Sequence, residues 1–118
     1  MTSNQVLTHS ALRTGALLGL SHAELARALG LDQSTVSAME HGLAELHSDF
    51  PSGQLALTLI KIYQSLTANV GGDEQACKQW VCSHNTGLAG TPALLMQSEE
   101  GINAVLAYLQ SMEAPQGR

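Results

Sequence analysis

A polar triplet, Gln33-Ser34-Thr35, opens a short apolar-patterned segment, with Ser37 and His41 one and two helical turns beyond Gln33. On a helix these side chains present amide and hydroxyl donors and acceptors along one side. An exposed glutamine can grip adenine through two hydrogen bonds, and a serine hydroxyl can donate or accept at a base edge. Other chemistry is poorly served. Cys77, Cys82 and His84 give a C-x4-C-x-H spacing that fits no common zinc pattern and lacks a fourth ligand, so buried thiols on a helix are expected. Serines, histidines and aspartates occur without a nucleophile elbow. Gly71-Gly72 is a lone pair before a helix, not a phosphate-cradling loop. No catalytic residue, metal or cofactor is expected.

The triplet needs a frame. Leu20 to Gly42 reads as two short helices joined by a tight turn. Ser21 is placed to cap the first, with Glu24 three residues on to complete a capping box. Leu25, Ala26 and Leu29 supply its apolar face, Gly30 ends it in a left-handed conformation, and Leu31 plugs the corner. Asp32 is expected to cap the second helix, which buries Val36 and Met39 and stops at Gly42. Such a pair forms a helix-turn-helix, whose second helix enters the major groove of DNA. The alternative is a hairpin that only packs, which a polar start to the second helix would serve poorly.

The run Gly30-Leu31-Asp32-Gln33-Ser34-Thr35-Val36-Ser37, closed by Glu40-His41-Gly42, resembles the Xre (phage-repressor and Cro-like) family of helix-turn-helix proteins. The resemblance implies base-edge contacts from Gln33, Ser34 and Ala38, with Thr35 and Ser37 as neighbouring candidates. It implies for His22 a place where the family has a Gln that touches phosphate and braces the recognition helix. His41, like Ala38, stands where the family often has Arg, so this reader has fewer cationic contacts. The family's buried Arg partner for the helix-3 Glu falls at Gly15. Glu40 therefore needs another donor, and Arg13 is the nearest in sequence.

At 118 residues the chain has room for one compact domain or two small ones sharing a core, and 44% hydrophobic residues with few aromatics predict an all-α globular fold. No apolar stretch approaches the roughly 20 residues needed to span a bilayer. Ala16–Leu20 is too short for a signal peptide and lacks a basic flank, so a cytoplasmic protein with reduced thiols is expected. Net charge is −5, and residues 1–50 set Arg13 and Arg27 against Glu24, Asp32, Glu40, Glu45 and Asp49. Phosphate attraction supplies most non-specific DNA affinity, so random DNA should be bound weakly. Specificity would rest on dimerisation, base-edge hydrogen bonds, backbone amides and helix N-termini. Protonation of His9, His22, His41 and His47 would offset the acidity of this half.

Elsewhere the pattern predicts a helix over 5–18 interrupted by Gly15, a loop over 43–53, and a helix from about Gln54 to Asn69 with Leu55, Leu59, Ile62, Tyr63 and Leu66 on one face. Further helices are expected from Asp73 to about Ser83, from Pro92 through Met96, and from Ser98 to Met112, ahead of a frayed tail, Glu113–Arg118. Asn85 and Gly87 suit turn conformations with positive φ. Gly101 inside a helix implies a close neighbour, either within the chain or on a partner.

From Trp80 the sequence reads WVCSHNTGLAGTPALLMQSEEGINAVLAYLQSM. It resembles the toxin-binding domain of the MbcA/ParS/Xre antitoxins at Trp80, Asn85, Leu88, Gly90, Pro92, Leu94, Leu95, Glu100, Gly101, Val105 and Leu109, with a glycine turn one residue shorter. The resemblance places a partner surface over 85–112, with Asn85, Gly90, Pro92, Gly101 and Val105 as partner-binding candidates. The expected organisation is thus a helix-turn-helix DNA-binding bundle over 1–70 and a small helical interaction domain over 71–118. Two functions stay open. One is a sequence-specific regulator that binds an inverted-repeat operator in double-stranded DNA as a homodimer. The other is an antitoxin, for which the resemblance implies a RES-type, NAD-consuming toxin as partner and control of the shared operon.

Overall fold

The computed structural model describes residues 2–112, so the tail expected to fray lies outside the described residues. These residues form seven helices: α1 (Ser3–Leu17), α2 (His22–Leu29), α3 (Gln33–Glu40), α4 (Pro51–Val70), α5 (Glu74–Cys82), α6 (Pro92–Leu95) and α7 (Glu99–Met112). The fold is all-α, with a helix-turn-helix at the front and a helical C-terminal region behind it.

Local chemistry explains most boundaries. Ser21 and Glu24 form the expected capping box: the Glu24 amide donates to Ser21 Oγ (3.1 Å) and the Ser21 amide donates to Glu24 Oε1 (2.8 Å). Gly30 turns left-handed at φ 72° and releases the chain toward α3. Asp32 occupies the N-cap position of α3, but its side chain makes no capping bond. Three expectations move. α1 starts earlier than residue 5, because Thr2 and Gln5 form a second capping box. It also continues through Gly15, which is buried against Leu25 rather than breaking the helix. α4 starts at Pro51, whose fixed φ suits a first helical turn, rather than at Gln54.

α4 is the spine. Its buried Leu59, Ile62 and Leu66 belong to a single apolar cluster that runs from Leu7 in α1 through Leu29, Val36 and Met39 to Ile102, Val105 and Leu109 in α7. α4 packs on α1 and α2 on one side and most extensively on α7 on another. Both halves therefore share one core across the expected boundary at residue 70.

Loop 41–50 is tied down by a buried hydroxyl. Thr8 Oγ1 accepts from the Leu46 amide (2.7 Å) and donates to the Asn4 carbonyl (2.7 Å). Both polar ends of the threonine are satisfied, which such burial requires.

Candidate functional site

In α3 the apolar positions Val36 and Met39 are buried, which turns Gln33, Ser34 and Ser37 to solvent, with His41 exposed just past the end. Thr35 and Ala38 are half-buried at the edges of the same surface. The candidate reading residues thus converge on one exposed strip along a helix presented by the turn at Gly30. No side chain caps α3, and the amides of Gln33 and Ser34 donate to no group among the described residues. Those N–H groups and the helix dipole make a positive end with an anionic neighbour, the exposed Asp32.

His22 stands at the first position of α2, and its Nε2–H donates to Glu40 Oε2 across 2.8 Å. The donor that Glu40 requires is His22, not Arg13, and the contact braces the end of α3 against the start of α2. The side chains are 45% and 42% exposed, so water screens this pair. His41 is oriented by its own helix: its Nδ1–H donates to the Ser37 carbonyl (2.8 Å), which leaves Nε2 as the free ring nitrogen.

The strip is poor in cations. The Arg27 guanidinium donates to Gln97 Oε1 (3.4 Å), away from α3 and toward the junction of α6 and α7. Arg13 lines a cavity of about 630 Å³ that also receives His9, Glu40, Glu74 and Lys78. No Lys or Arg lies within α3 itself.

The second set of candidates is arranged differently. Asn85 and Gly90 are half-exposed and pair back-to-back, with the Asn85 amide donating to the Gly90 carbonyl (2.8 Å) and the Gly90 amide returning to Asn85 (3.2 Å). Asn85 Oδ1 also accepts from the Leu88 amide (3.1 Å). The positive φ of this turn sits at Ala89 (56°), not at Asn85 or Gly87. Pro92, Gly101 and Val105 are all buried. The close neighbour expected at Gly101 lies within the chain: a Cβ there would collide with the backbone carbonyl of Leu95. Ser98 Oγ accepts from the Gly101 amide (3.1 Å) and caps α7 at the same place.

What faces outward is Leu94, 66% exposed, between the buried Ala93 and the half-buried Leu95. Helical periodicity after Pro92 could have shown it, since burying Pro92, Ala93 and Met96 turns position 94 out. Trp80 is half-buried and stacks on Tyr108 with ring centroids 6.5 Å apart. Of the two thiols expected to be buried only Cys77 is, and Cys82, the last residue of α5, is exposed. The Cys77 thiol is pushed up from its usual range by desolvation first, then by the nearby Asp73 and Glu74 carboxylates. Among the described residues no group of three His, Cys, Asp or Glu could hold a metal, and no helix is long and apolar enough to cross a membrane.

Two segments of the chain match family models of known proteins. Residues 11–49 match the helix-turn-helix family model, and residues 65–114 match that of the antitoxin Xre/MbcA/ParS C-terminal toxin-binding domain. The first match covers α2, α3 and the C-terminal part of α1, while the second starts in the last turns of α4. No curated protein matches the chain.

Proposed function

We propose that the chain reads an operator through α3 and neutralises a toxin through its C-terminal half, a reading supported by the matches of residues 11–49 to a helix-turn-helix model and of residues 65–114 to an antitoxin toxin-binding domain model. In this reading Gln33 and Ser34 meet base edges in the major groove. Thr35, Ser37 and Ala38 complete the strip, and His22 and His41 stand at its ends. The operator is an inverted repeat bound by a homodimer. The toxin is a RES-type enzyme that consumes NAD, and the pair shares an operon that this protein represses. The carrying observation is the exposed polar strip on α3, free of any intramolecular task that would explain Gln33 or Ser34.

An acidic reader implies a division of labour. With few phosphate-seeking cations, affinity for random DNA stays low, and discrimination falls to base-edge bonds and free helix amides. Gln33→Ala should cost about 1–3 kcal/mol of operator affinity with no change in stability. A mobility-shift titration with circular dichroism as control measures this, and unchanged binding by the folded variant moves the reading site elsewhere. Co-expression with a RES-type toxin tests the other half: rescue of growth supports the antitoxin reading, and undiminished toxicity leaves a stand-alone regulator.

A further inference from the structure

We infer that two copies of this chain meet through an uncharged apolar groove formed by the N-terminal halves of α1 and α4. A groove of about 290 Å³ runs between these helices, with Val6, Leu7, Leu57 and Ile60 on its walls and only Ser and Asn as polar lining. Val6 is 47% exposed and Leu57 41%. The face continues past Asn4, whose Nδ2 bonds His47 Nδ1 (3.0 Å), to the ring of Phe50, which packs on His47 at 5.1 Å and is 57% exposed. Of the six large hydrophobic side chains most exposed among the described residues, Val6, Phe50 and Leu57 gather here.

Three observations select a second copy as the occupant. The chain carries a net charge of −5, so two copies repel wherever carboxylates face one another. None of the residues lining this groove is charged. The face also lies outside residues 65–114, the segment matched to toxin binding. Finally, α2 and α3 contribute nothing to the groove, so a dimer joined here keeps both reading strips free, as an inverted repeat demands. The inference rests on the dimeric reading given above and supplies the surface for it.

The test is sedimentation velocity on the full chain at tens of micromolar, with circular dichroism to confirm folding. The wild type should be a dimer, and its dissociation constant should change little between about 50 and 500 mM salt, because no charge pair holds it. Val6→Glu/Leu57→Glu should weaken dimerisation by about tenfold or more, since carboxylates would be buried without partners. Val6→Ser/Leu57→Ser, a milder pair at exposed positions, should weaken it in the same direction if the first pair does not fold. Leu94→Glu should leave the dimer intact. A wild-type dimer that survives both double substitutions, or that dissociates with salt, overturns this face while sparing the dimeric reading. A wild-type monomer in solution that binds the operator as a single copy overturns both.

Discussion

Gln33 and Ser34 of α3 stand in solvent, whereas Pro92, Gly101 and Val105 of the C-terminal half are enclosed by their own chain. One region carries its recognisable residues as a surface and the other carries them as a scaffold. Reading a base requires a side chain that reaches outward and bonds nothing at home. Presenting a partner-facing patch requires a rigid turn that holds other residues out. In the second region the scaffold consists of the Asn85–Gly90 pair, Pro92 at the start of α6 and Gly101 beneath the Leu95 carbonyl. What it presents is Leu94.

The two regions nevertheless share a device. Gly53 is the third residue of α4 and lies against the His47 carbonyl six residues earlier; Gly101 is the third residue of α7 and lies against the Leu95 carbonyl six residues earlier. At each site the preceding segment folds back so tightly on the new helix that a side chain would be in the way.

The sharpest way to break the contrast is Gly101→Leu. If the residue is scaffold, the larger side chain strikes backbone and should destabilise the protein by about 3 kcal/mol or more, read by chemical denaturation, with operator and partner binding falling together. A variant as stable as wild type that loses only the partner would return Gly101 to the surface.

The brace at the end of α3 comes next. A double-mutant cycle with His22→Gln and Glu40→Gln should give a coupling of about 0.2–1 kcal/mol in stability, as befits a half-exposed pair. Zero coupling would leave the recognition helix held by Val36 and Met39 alone.

Asp32→Asn sharpens the reading side. The carboxylate caps nothing, so stability should hold while operator affinity rises about twofold to fivefold as an anion leaves the start of α3. Weaker binding would mean that Asp32 itself contacts a base.

The smallest effect is chemical. At about pH 8 an alkylating reagent should label the exposed Cys82 and spare Cys77, whose thiol is buried and held in its protonated form, with mass spectrometry as the readout. Equal labelling would show that α5 opens readily.

Much of the fold was legible because local chemistry sets it. The Ser21–Glu24 box, the Gly30 turn and the periodic face of α4 are short-range signals, and each appears in the structure. The errors are of two kinds. Propensity alone makes Gly15 an interruption and leaves Pro51 in the loop over 43–53, but Gly15 makes room for Leu25 within a continuing helix, and Pro51 belongs to the helix it begins. The remainder needed tertiary knowledge. Eighteen positions separate His22 from Glu40, and thirty-eight separate Thr8 from Leu46, so no spacing rule links either pair. The interior place of Gly101 was half visible: a helical glycine announced a close neighbour without saying whose it was.

The shared spine has a consequence for inheritance. α4 closes the reading bundle on one side and packs along α7 on another, so neither half has a private core. A stop after residue 70 would lay bare the side of α4 that α7 covers, and the reader would lose its footing together with the partner surface. Mutation therefore has no simple route to discarding one role and keeping the other by truncation. The halves can diverge residue by residue at Gln33 or Leu94, but they must be kept or lost as a unit.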